Sequence, residues 1–264
     1  MLRLNNIHKT FNMGTINEKH ALQGLSLHLN PGDFVTVIGG NGAGKSTMLN
    51  AISGVWPIDQ GQILIDGIDV TKLPEYKRAA YLGRVFQDPM IGTAAFMEIQ
   101  ENLALALRRG KRRTLRWGIT QAERQKYREV LKTLDLGLED RLTTKVGLLS
   151  GGQRQALTLL MATLTRPKLL LLDEHTAALD PKTAAKVLEL SDRIIAEHEL
   201  TALMVTHNMR DAISHGNRLI MLKDGNIILD IAGPEKKSLT VENLLEKFAS
   251  VTGEEMDNDR MLLS

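Results

Sequence analysis

Apolar and polar positions divide the chain into outer parts that alternate strands with helices and a middle part that is helical. Short apolar runs at Phe34–Ile38, Leu169–Leu172 and Ala202–Thr206 are typical of buried parallel strands. The other predicted strands are Leu2–His8, Leu22–Leu29, two short strands within 61–70 joined by a turn, Arg218–Leu222 and Ile227–Asp230. Helical spacing predicts helices at Lys45–Ile52, Ile99–Arg109, Gln121–Asp135, Arg154–Thr165 and Pro181–Glu197. Because strand signals are nearly absent between Phe96 and Arg166, we expect one α/β core with an inserted helical subdomain.

Composition narrows the classes of protein to which the chain can belong. Its 264 residues are 43% hydrophobic and 24% charged, which excludes disorder as the dominant state. The absence of cysteine excludes disulfides, cysteine-bound zinc, iron–sulfur clusters and thiol catalysis. A net charge of +2 and an aromatic content of 4% argue against nucleic acid as a partner. The sequence contains neither a run of about 18–20 apolar residues nor a secretory signal, so we expect a cytoplasmic chain.

A glycine-rich loop between a predicted strand and a predicted helix is the first sign of chemistry. Residues 39–46, here called the phosphate loop, match the pattern G-x-x-x-x-G-K-[S/T]. Glycines let successive backbone N–H groups turn toward phosphate oxygens, Lys45 reaches the terminal phosphates, and the Ser46 hydroxyl can bind Mg²⁺. The predicted nucleotide-binding residues here are Gly39, Gly40, Asn41, Gly42, Ala43, Gly44, Lys45, Ser46 and Thr47.

Two acidic residues follow the most apolar strand. Asp173 and Glu174 come directly after Leu169–Leu172, so a buried strand delivers both carboxylates to one place. There Asp173 suits a contact with Mg²⁺ through water, and Glu174 can polarise an attacking water molecule. The alternative is a strand end with ordinary solvated acids, which the presence of the phosphate loop disfavours.

The segment Leu149–Gln153, here called the signature segment, opens a predicted helix with Ser-Gly-Gly. Such a helix start offers a hydroxyl and free backbone N–H groups, which makes it a second candidate anion site. A simpler interpretation is a helix cap, with Ser150 as the N-cap and two glycines in the turn. The cap explains where the helix begins, but not why the chain carries a second site of phosphate-binding type.

These three segments, in this order, resemble those of the ABC-type ATPases, the nucleotide-binding subunits of ATP-binding-cassette transporters. The resemblance runs from about residue 2 to residue 248. It implies a P-loop NTPase (RecA-like) α/β core with an antiparallel β subdomain and an inserted α-helical subdomain. It also implies an ATPase domain at 1–236, with its core at 1–89 and 167–236 and its helical part at about 90–166. A C-terminal helix and a flexible acidic tail are expected at 237–264.

The resemblance also implies roles for individual residues. Glu174 is expected to be catalytic, together with Gln87, which follows the strand before the helical insert, and His207, the switch histidine. The implied ligands of Mg²⁺ are Ser46, Gln87 and Asp173. The implied contacts to ATP outside the phosphate loop are Phe11, against adenine, and Ser150, Gly151, Gly152, Gln153 and Asp180. His175 departs from the family, in which proline is common after the catalytic glutamate, and we expect it to alter the local loop.

The partners expected for the chain also follow from the resemblance. It implies a head-to-tail homodimer with two ATP molecules between the phosphate loop of one chain and the signature segment of the other. Separate transmembrane permease subunits are implied, with this chain peripheral on the inner face of the membrane. Residues 11–18, 92–95 and 173–178 resemble bacterial amino-acid-type importer cassettes, including ones linked with tryptophan uptake, and imply an extracytoplasmic solute-binding protein. An exporter subunit and a non-transport or regulatory cassette stay open as alternatives.

The basic stretch Arg108–Arg116 is the one strong charge cluster of the sequence. One interpretation is a solvated helix end and loop. The other is a contact with anionic lipid headgroups or with an acidic partner.

Overall fold

A computed structural model of the chain describes residues 1–110 and 118–252. Within these ranges the strands are β1 (Leu2–Phe11), β2 (Lys19–Leu29), β3 (Phe34–Gly39), β4 (Gln60–Ile65), β5 (Ile68–Asp69), β6 (Leu82–Val85), β7 (Leu169–Asp173), β8 (Thr201–Val205), β9 (Arg218–Lys223) and β10 (Asn226–Ala232). The α-helices are α1 (Lys45–Ser53), α2 (Glu75–Arg78), α3 (Ile99–Leu107), α4 (Gln121–Lys132), α5 (Gly151–Thr163), α6 (Pro181–Glu197), α7 (Met209–Ser214), α8 (Gly233–Lys237) and α9 (Val241–Thr252).

The larger sheet has the strand order β10-β9-β3-β8-β7-β6, and β10 runs antiparallel to β9 while the other pairs are parallel. Its strands β3 and β8 are buried along their whole length, which explains their continuous apolar runs. Val205 lies opposite Val37 on β3 and opposite Asp173 on β7. Because parallel strands end at the same edge, the sheet gathers the phosphate loop, Asp173 and the residues after Val205 at that edge.

The smaller sheet has the order β2-β1-β4-β5 and is antiparallel throughout its described pairs. It packs with α1 and one face of the larger sheet around a shared buried cluster that includes Leu29, Ile52 and Leu171. The β1–β2 hairpin is longer than predicted and ends with Phe11 opposite Lys19. The backbone ladder extends beyond the apolar pattern because pairing of main-chain groups does not require apolar side chains.

The helical part packs α3, α4 and α5 with α6 against the other face of the larger sheet. The first two arginines of the basic stretch are engaged within this part. Arg108 pairs with Glu123 at 2.8 Å. Arg109 donates to the Thr165 hydroxyl at 3.0 Å and to the Ala162 carbonyl at 3.3 Å. Arg108 and Arg109 are thus bonded within the chain, which neither interpretation of the basic stretch predicted, and 111–116 lie outside the described residues.

Two features of the fold differ from the pattern-based predictions. The strand β6 was expected only from the family resemblance, because Gly83 and Arg84 interrupt its apolar run. At the other end of the chain, α9 continues through Thr252 and packs Leu244 and Phe248 against the cluster around β9, β10 and α7. The sequence predicts a frayed tail over Val251–Ser264, and the helix takes in the first two of these residues, while 253–264 lie outside the described residues.

None of the helices within the described ranges combines the length and the hydropathy that crossing a bilayer requires.

Candidate functional site

The phosphate loop forms the turn from β3 into α1. Gly44 is the N-cap of α1, and its φ of 104° is a left-handed conformation that favours glycine. A Cβ at this position would lie 2.7 Å from the carbonyl oxygen of Ala21, so β2 approaches the loop too closely for a side chain. Within the described part of the chain no side chain caps α1. Its first N–H groups therefore remain available to an anion.

Lys45 is the buried cation of the phosphate loop. Its Nζ donates to the carbonyl oxygens of Gly39 at 2.6 Å and Gly40 at 3.2 Å. Burial lowers the pKa of Lys45, while the nearby carboxylates of Glu174 and Asp173 oppose that shift. The loop thus holds this ammonium against its own carbonyls, close to the position where phosphate oxygens would lie.

Glu174 and His207 face each other across the carboxyl ends of β7 and β8. Glu174 has a φ of 44°, and its N–H donates to the Val205 carbonyl at 3.0 Å. Its Oε2 lies 3.4 Å from Nδ1 of His207. The hydrogen bond with His207 is the main cause that lowers the pKa of Glu174, and the same bond raises the pKa of His207. Glu174 is therefore held as a carboxylate, which is the form that can accept a proton.

The donor set around Asp173 fits a magnesium ion that is held partly by phosphate. Ser46 lies in the first turn of α1, Asp173 ends β7, and Gln87 follows β6, the neighbour of β7. These side chains offer a hydroxyl, a carboxylate and an amide oxygen, which are ligands that Mg²⁺ accepts while keeping water and phosphate in its remaining positions. Clusters of three or more His, Cys, Asp or Glu side chains arranged for a metal are absent from the described residues. The chain therefore suits a cation that arrives with the phosphates.

A cleft of about 220 Å³ joins these groups to the end of the β1–β2 hairpin. It is lined by Phe11, Lys19, Ala21, residues 41–47 and Glu174. The ring of Phe11 packs edge-on against Trp56, with ring centroids 5.0 Å apart. Phe11 therefore lines this cleft, and its contact with adenine stays a prediction.

Lys19 is a residue of this cleft that the sequence analysis missed. Its Nζ lies 3.1 Å from the position that a Cβ on Gly42 would occupy. In the sequence it is one charge in a polar stretch, and its pairing with Phe11 across the hairpin is what brings it to the phosphate loop. The cleft thus has a second ammonium beside the loop, which adds to its attraction for a polyanion.

The signature segment lies in different surroundings. Ser150 is the N-cap of α5, and it forms a capping box in which Gln153 N–H donates to the Ser150 hydroxyl and the Gln153 side chain accepts from Ser150 N–H. Gly152 packs against α6 so closely that a Cβ would lie 2.2 Å from Cγ2 of Thr183. Asp180 caps α6 and accepts from the Thr183 N–H at 3.1 Å. The signature segment and Asp180 thus meet at Thr183, and Ser150 and Gly152 line a separate groove of about 570 Å³.

The predicted site residues therefore form two groups. The cleft brings together Phe11, residues 41–47 and Glu174, with His207 beside Glu174. Ser150 and Asp180 are exposed near Thr183, and Gln87 is exposed at the end of β6. The first group has the donors and the base needed for attack of water on a phosphoanhydride. The roles of the individual residues stay predictions.

Comparisons with known proteins find ATP-binding proteins of transport systems. The family model described as ABC transporter matches residues 22–177. A tyrosine transport ATP-binding protein of Clostridioides difficile (strain R20291) is 47% identical over 248 residues, which cover 94% of this chain and 98% of that protein. The methionine import ATP-binding protein MetN of Rhizobium etli is 37% identical over 212 residues, or 79% of this chain. The aligned part spans only 56% of that relative's length.

Solved structures share the fold. The dimeric structure of a post-hydrolysis state of the ATP-binding cassette MJ0796, bound to ADP and Pi, matches with a TM-score of 0.75 and 32% sequence identity. The match covers 88% of this chain and 98% of that one. The predicted α/β architecture with a P-loop NTPase core is confirmed.

Proposed function

The chain belongs to the ABC transporter family, and we propose that it powers an importer of an amino acid or a similar small solute. The resemblance seen in the sequence is confirmed, and the chain is an ATPase that acts on ATP with Mg²⁺ as the usual cation. The observation that carries the importer proposal is the 47% identity to a tyrosine transport ATP-binding protein over 98% of that protein. Both the solute class and the direction of transport belong to the proposal.

The phosphate-loop side would perform the chemistry. The N–H groups of the loop and the ammonium groups of Lys45 and Lys19 would bind the triphosphate, and Phe11 would lie beside the adenine ring. Mg²⁺, held by Ser46, Gln87 and Asp173, would supply charge neutralisation on the phosphate oxygens.

Hydrolysis would depend on the pair of Glu174 and His207. A water oxygen forms a bond to the γ-phosphorus, and the bond from that phosphorus to the β,γ-bridging oxygen breaks, which yields ADP and phosphate. Glu174 accepts a proton from the attacking water, because its hydrogen bond to His207 keeps it ionised. His207 holds the Glu174 carboxylate in place through its Nδ1.

The signature side would complete the site of a second copy. Ser150, Gly151, Gly152 and Gln153 lie on or next to the exposed amino end of α5, outside the cleft of their own chain. In a head-to-tail homodimer they would contact the ATP bound to the phosphate loop of the partner, with Asp180 beside them. ATP would then hold the two chains together, and its hydrolysis would release them.

The division into parts follows the same logic. We assign the catalytic core to 1–89 and 167–236, the helical subdomain to about 90–166, and a C-terminal helix and tail to 237–264. The core would bind nucleotide, and the helical subdomain would carry the signature segment. Transmembrane permease subunits, peripheral attachment at the inner face of the membrane and an extracytoplasmic solute-binding protein belong to this proposal.

Purification from the native cell tests the transport assignment. The chain is tagged, membranes are extracted in mild detergent, and the proteins that copurify are identified by mass spectrometry. A polytopic membrane subunit is expected, and a solute-binding protein beside it would support import. Ribosomes, DNA or the absence of a membrane subunit would contradict the transport assignment.

Uptake assays test the solute and the direction of transport. A strain without the gene should take up radiolabelled tyrosine or tryptophan more slowly, and the intact gene should restore uptake. A gene with Lys45→Ala should not restore it. Faster accumulation in the deleted strain would indicate an exporter, and unchanged uptake of every amino acid tested would contradict the proposed solute class.

A further inference from the structure

Arg84 links the end of the strand that carries Asp173 to the helix that follows the phosphate loop. Its Nη2 donates to Asp173 Oδ2 at 2.9 Å, and its Nη1 donates to Asn50 Oδ1 at 2.8 Å and to Ser53 Oγ at 3.1 Å. Asn50 and Ser53 lie in the carboxyl-terminal half of α1. One guanidinium group therefore holds α1 and the end of β7 in a fixed relation.

The guanidinium is largely removed from solvent. The side chain of Arg84 is 12% exposed and that of Asp173 is 16% exposed. The guanidinium carbon lies 4.6 Å from the centroid of the Phe86 ring. Among the described residues, Nε of Arg84 has no hydrogen-bond partner. An arginine is held here although its desolvation is not fully compensated.

Packing alone does not account for an arginine at this position. Leu82 lies two residues earlier on the same face of β6, and it packs in the apolar cluster beneath α1. An aliphatic residue at position 84 would extend that cluster. A buried ion pair often contributes little net stability compared with apolar residues of similar volume. The contact with Asp173 therefore points to a role in the site.

We propose that Arg84 is a positioning residue that holds the Asp173 carboxylate in the orientation needed by the magnesium complex of the nucleotide. The proposal rests on the function proposed above, in which Asp173 is a ligand of Mg²⁺. The arginine fork fixes Oδ2 and leaves Oδ1 of the same carboxylate outside this contact. Groups that orient metal ligands typically contribute about 10–100-fold to metal affinity or activity.

Nucleotide binding with and without the cation tests this role. The probe is adenylyl imidodiphosphate, an ATP analogue that resists hydrolysis, titrated into the full chain by calorimetry. Arg84→Met should weaken its affinity about tenfold in Mg²⁺ and by less than about twofold in EDTA, because Asp173 acts only through the cation. An equal loss in EDTA would indicate a general charge effect and overturn the proposal. An unchanged affinity in Mg²⁺ would also overturn it.

Two further variants separate orientation from charge. Arg84→Lys keeps the charge but loses the planar fork. In Mg²⁺ it should therefore bind the ATP analogue almost as weakly as Arg84→Met does. Full recovery in this variant would contradict the positioning role. In an Asp173→Asn background, Arg84→Met should cause no additional loss, because the group that it positions is already altered. Additive losses would show that Arg84 acts elsewhere.

The chain offers matched controls. Arg218 pairs with Asp230 at 2.6 Å near the amino end of β3, at the opposite edge of the same sheet. Arg218→Met should leave nucleotide affinity unchanged in both buffers. Lys45→Ala separates the two proposals: if it weakens binding and Arg84→Met does not, only the positioning role fails. If Lys45→Ala also has no effect, the proposed nucleotide site itself fails.

A second variant covers the case in which Arg84→Met does not fold. Asn50→Ala removes one anchor of the guanidinium and leaves both charges in place. It should give a smaller loss of the same kind, about two- to threefold in Mg²⁺ and none in EDTA. Equal affinities in Mg²⁺ for this variant and the unaltered chain would contradict the proposal.

Discussion

The phosphate loop and the signature segment both place small residues at the start of a helix, but the two helix starts have opposite character. At α1 the N-cap is a left-handed glycine without a side-chain cap, and the loop faces a cleft that contains Lys45 and Glu174. At α5 the N-cap is Ser150, and its capping box with Gln153 pairs the N–H groups of these two residues within the chain. The first helix start thus leaves its N–H groups to an external anion, whereas the second already has a side-chain cap within the chain.

This difference fits the proposal that each chain contributes one half to each of two ATP sites. On the phosphate-loop side, Lys45 rests on carbonyl oxygens and Asp173 on Arg84. These are contacts that a bound nucleotide would exchange or use. On the signature side, Ser150 lies exposed at the amino end of α5, where its own side chain caps the helix. An exposed helix start that is already stable can meet the nucleotide of another chain without a change of fold.

The largest effect is expected on the phosphate-loop side, at Glu174, the carboxylate proposed as the catalytic base. Glu174→Gln should lower ATP turnover by at least about 100-fold, because an amide cannot accept the proton of the attacking water. Its affinity for ATP should persist, and its ATP-bound dimer should be more stable. Steady-state phosphate release and size-exclusion chromatography with ATP measure the two properties. Glu75→Gln, at an exposed position on α2, is the control, and unchanged turnover in Glu174→Gln would remove Glu174 from the role of base.

Low pH should destabilise the fold on the phosphate-loop side through His175. His175 is fully buried next to Glu174, with Nε2 3.0 Å from the Ser191 hydroxyl. Burial lowers the pKa of His175 from 6.5 to about 4, and the nearby His215 adds to this shift while Asp192 opposes it. The folded chain therefore resists protonation that the unfolded chain accepts below about pH 6.5. The stability that depends on neutral His175 is present above that pH and is lost as the pH falls toward 4.

Comparison with a variant isolates this contribution. Between pH 7 and pH 4 the unfolding free energy of the unaltered chain should fall by up to about 3 kcal/mol more than that of His175→Gln. Urea unfolding at several pH values measures the difference. His28→Gln, on the exposed face of β2, should follow the unaltered chain. Parallel curves for the unaltered chain and His175→Gln would refute the prediction.

Contiguous motifs account for the parts of the site that could be predicted. The phosphate loop and the pair of Asp173 and Glu174 can be read from spacing, because neighbours in sequence are also neighbours in space there. The positions of the main parallel strands followed from their apolar runs, and the α/β fold is confirmed. The contacts that could not be predicted join residues that are distant in sequence. Neither Arg84 beside Asp173 nor Lys19 beside Gly42 has a sequence pattern that indicates the contact.

The same reason explains why His175 was only partly understood. The sequence showed a departure from a proline that is common in the family, but not its consequence. The partner of His175, Ser191, lies on the next helix, α6, and the contact exists only once β7 and α6 have packed. The structure therefore adds what the sequence could not show, namely that His175 is buried and bonded to that helix.

Removal of the loop cation should affect nucleotide binding directly. Lys45→Ala should weaken the affinity of the isolated chain for ATP about 10–100-fold, because hydrogen bonds from a charged donor to phosphate contribute about 1.5–3 kcal/mol. Calorimetric titration measures the affinity. Lys72→Met, an exposed lysine away from the cleft, is the matched control. Normal affinity in Lys45→Ala would overturn the assignment of the phosphate loop.

The smallest effect is expected on the signature side, and it should appear only when two chains meet. Ser150→Ala should leave the ATP affinity of isolated chains within about twofold and lower turnover about tenfold, the amount expected for one lost hydrogen bond to phosphate. Loss of the cap would cost about 1 kcal/mol of helix stability, so Ser150→Asp is the control, because aspartate also caps a helix but would repel the partner's ATP. Ser150→Asp should therefore be less active than Ser150→Ala, whereas a capping role alone would restore its activity.

A mixture of Lys45→Ala and Ser150→Ala chains should turn over more ATP than the average of the two, because each mixed dimer contains one site with both residues intact. The proposal would be contradicted by weak ATP binding in isolated Ser150→Ala chains, or by a mixture that turns over no more ATP than the average. Either result would place the signature segment in the same site as the phosphate loop of its own chain, and the two helix starts would then not serve different sites.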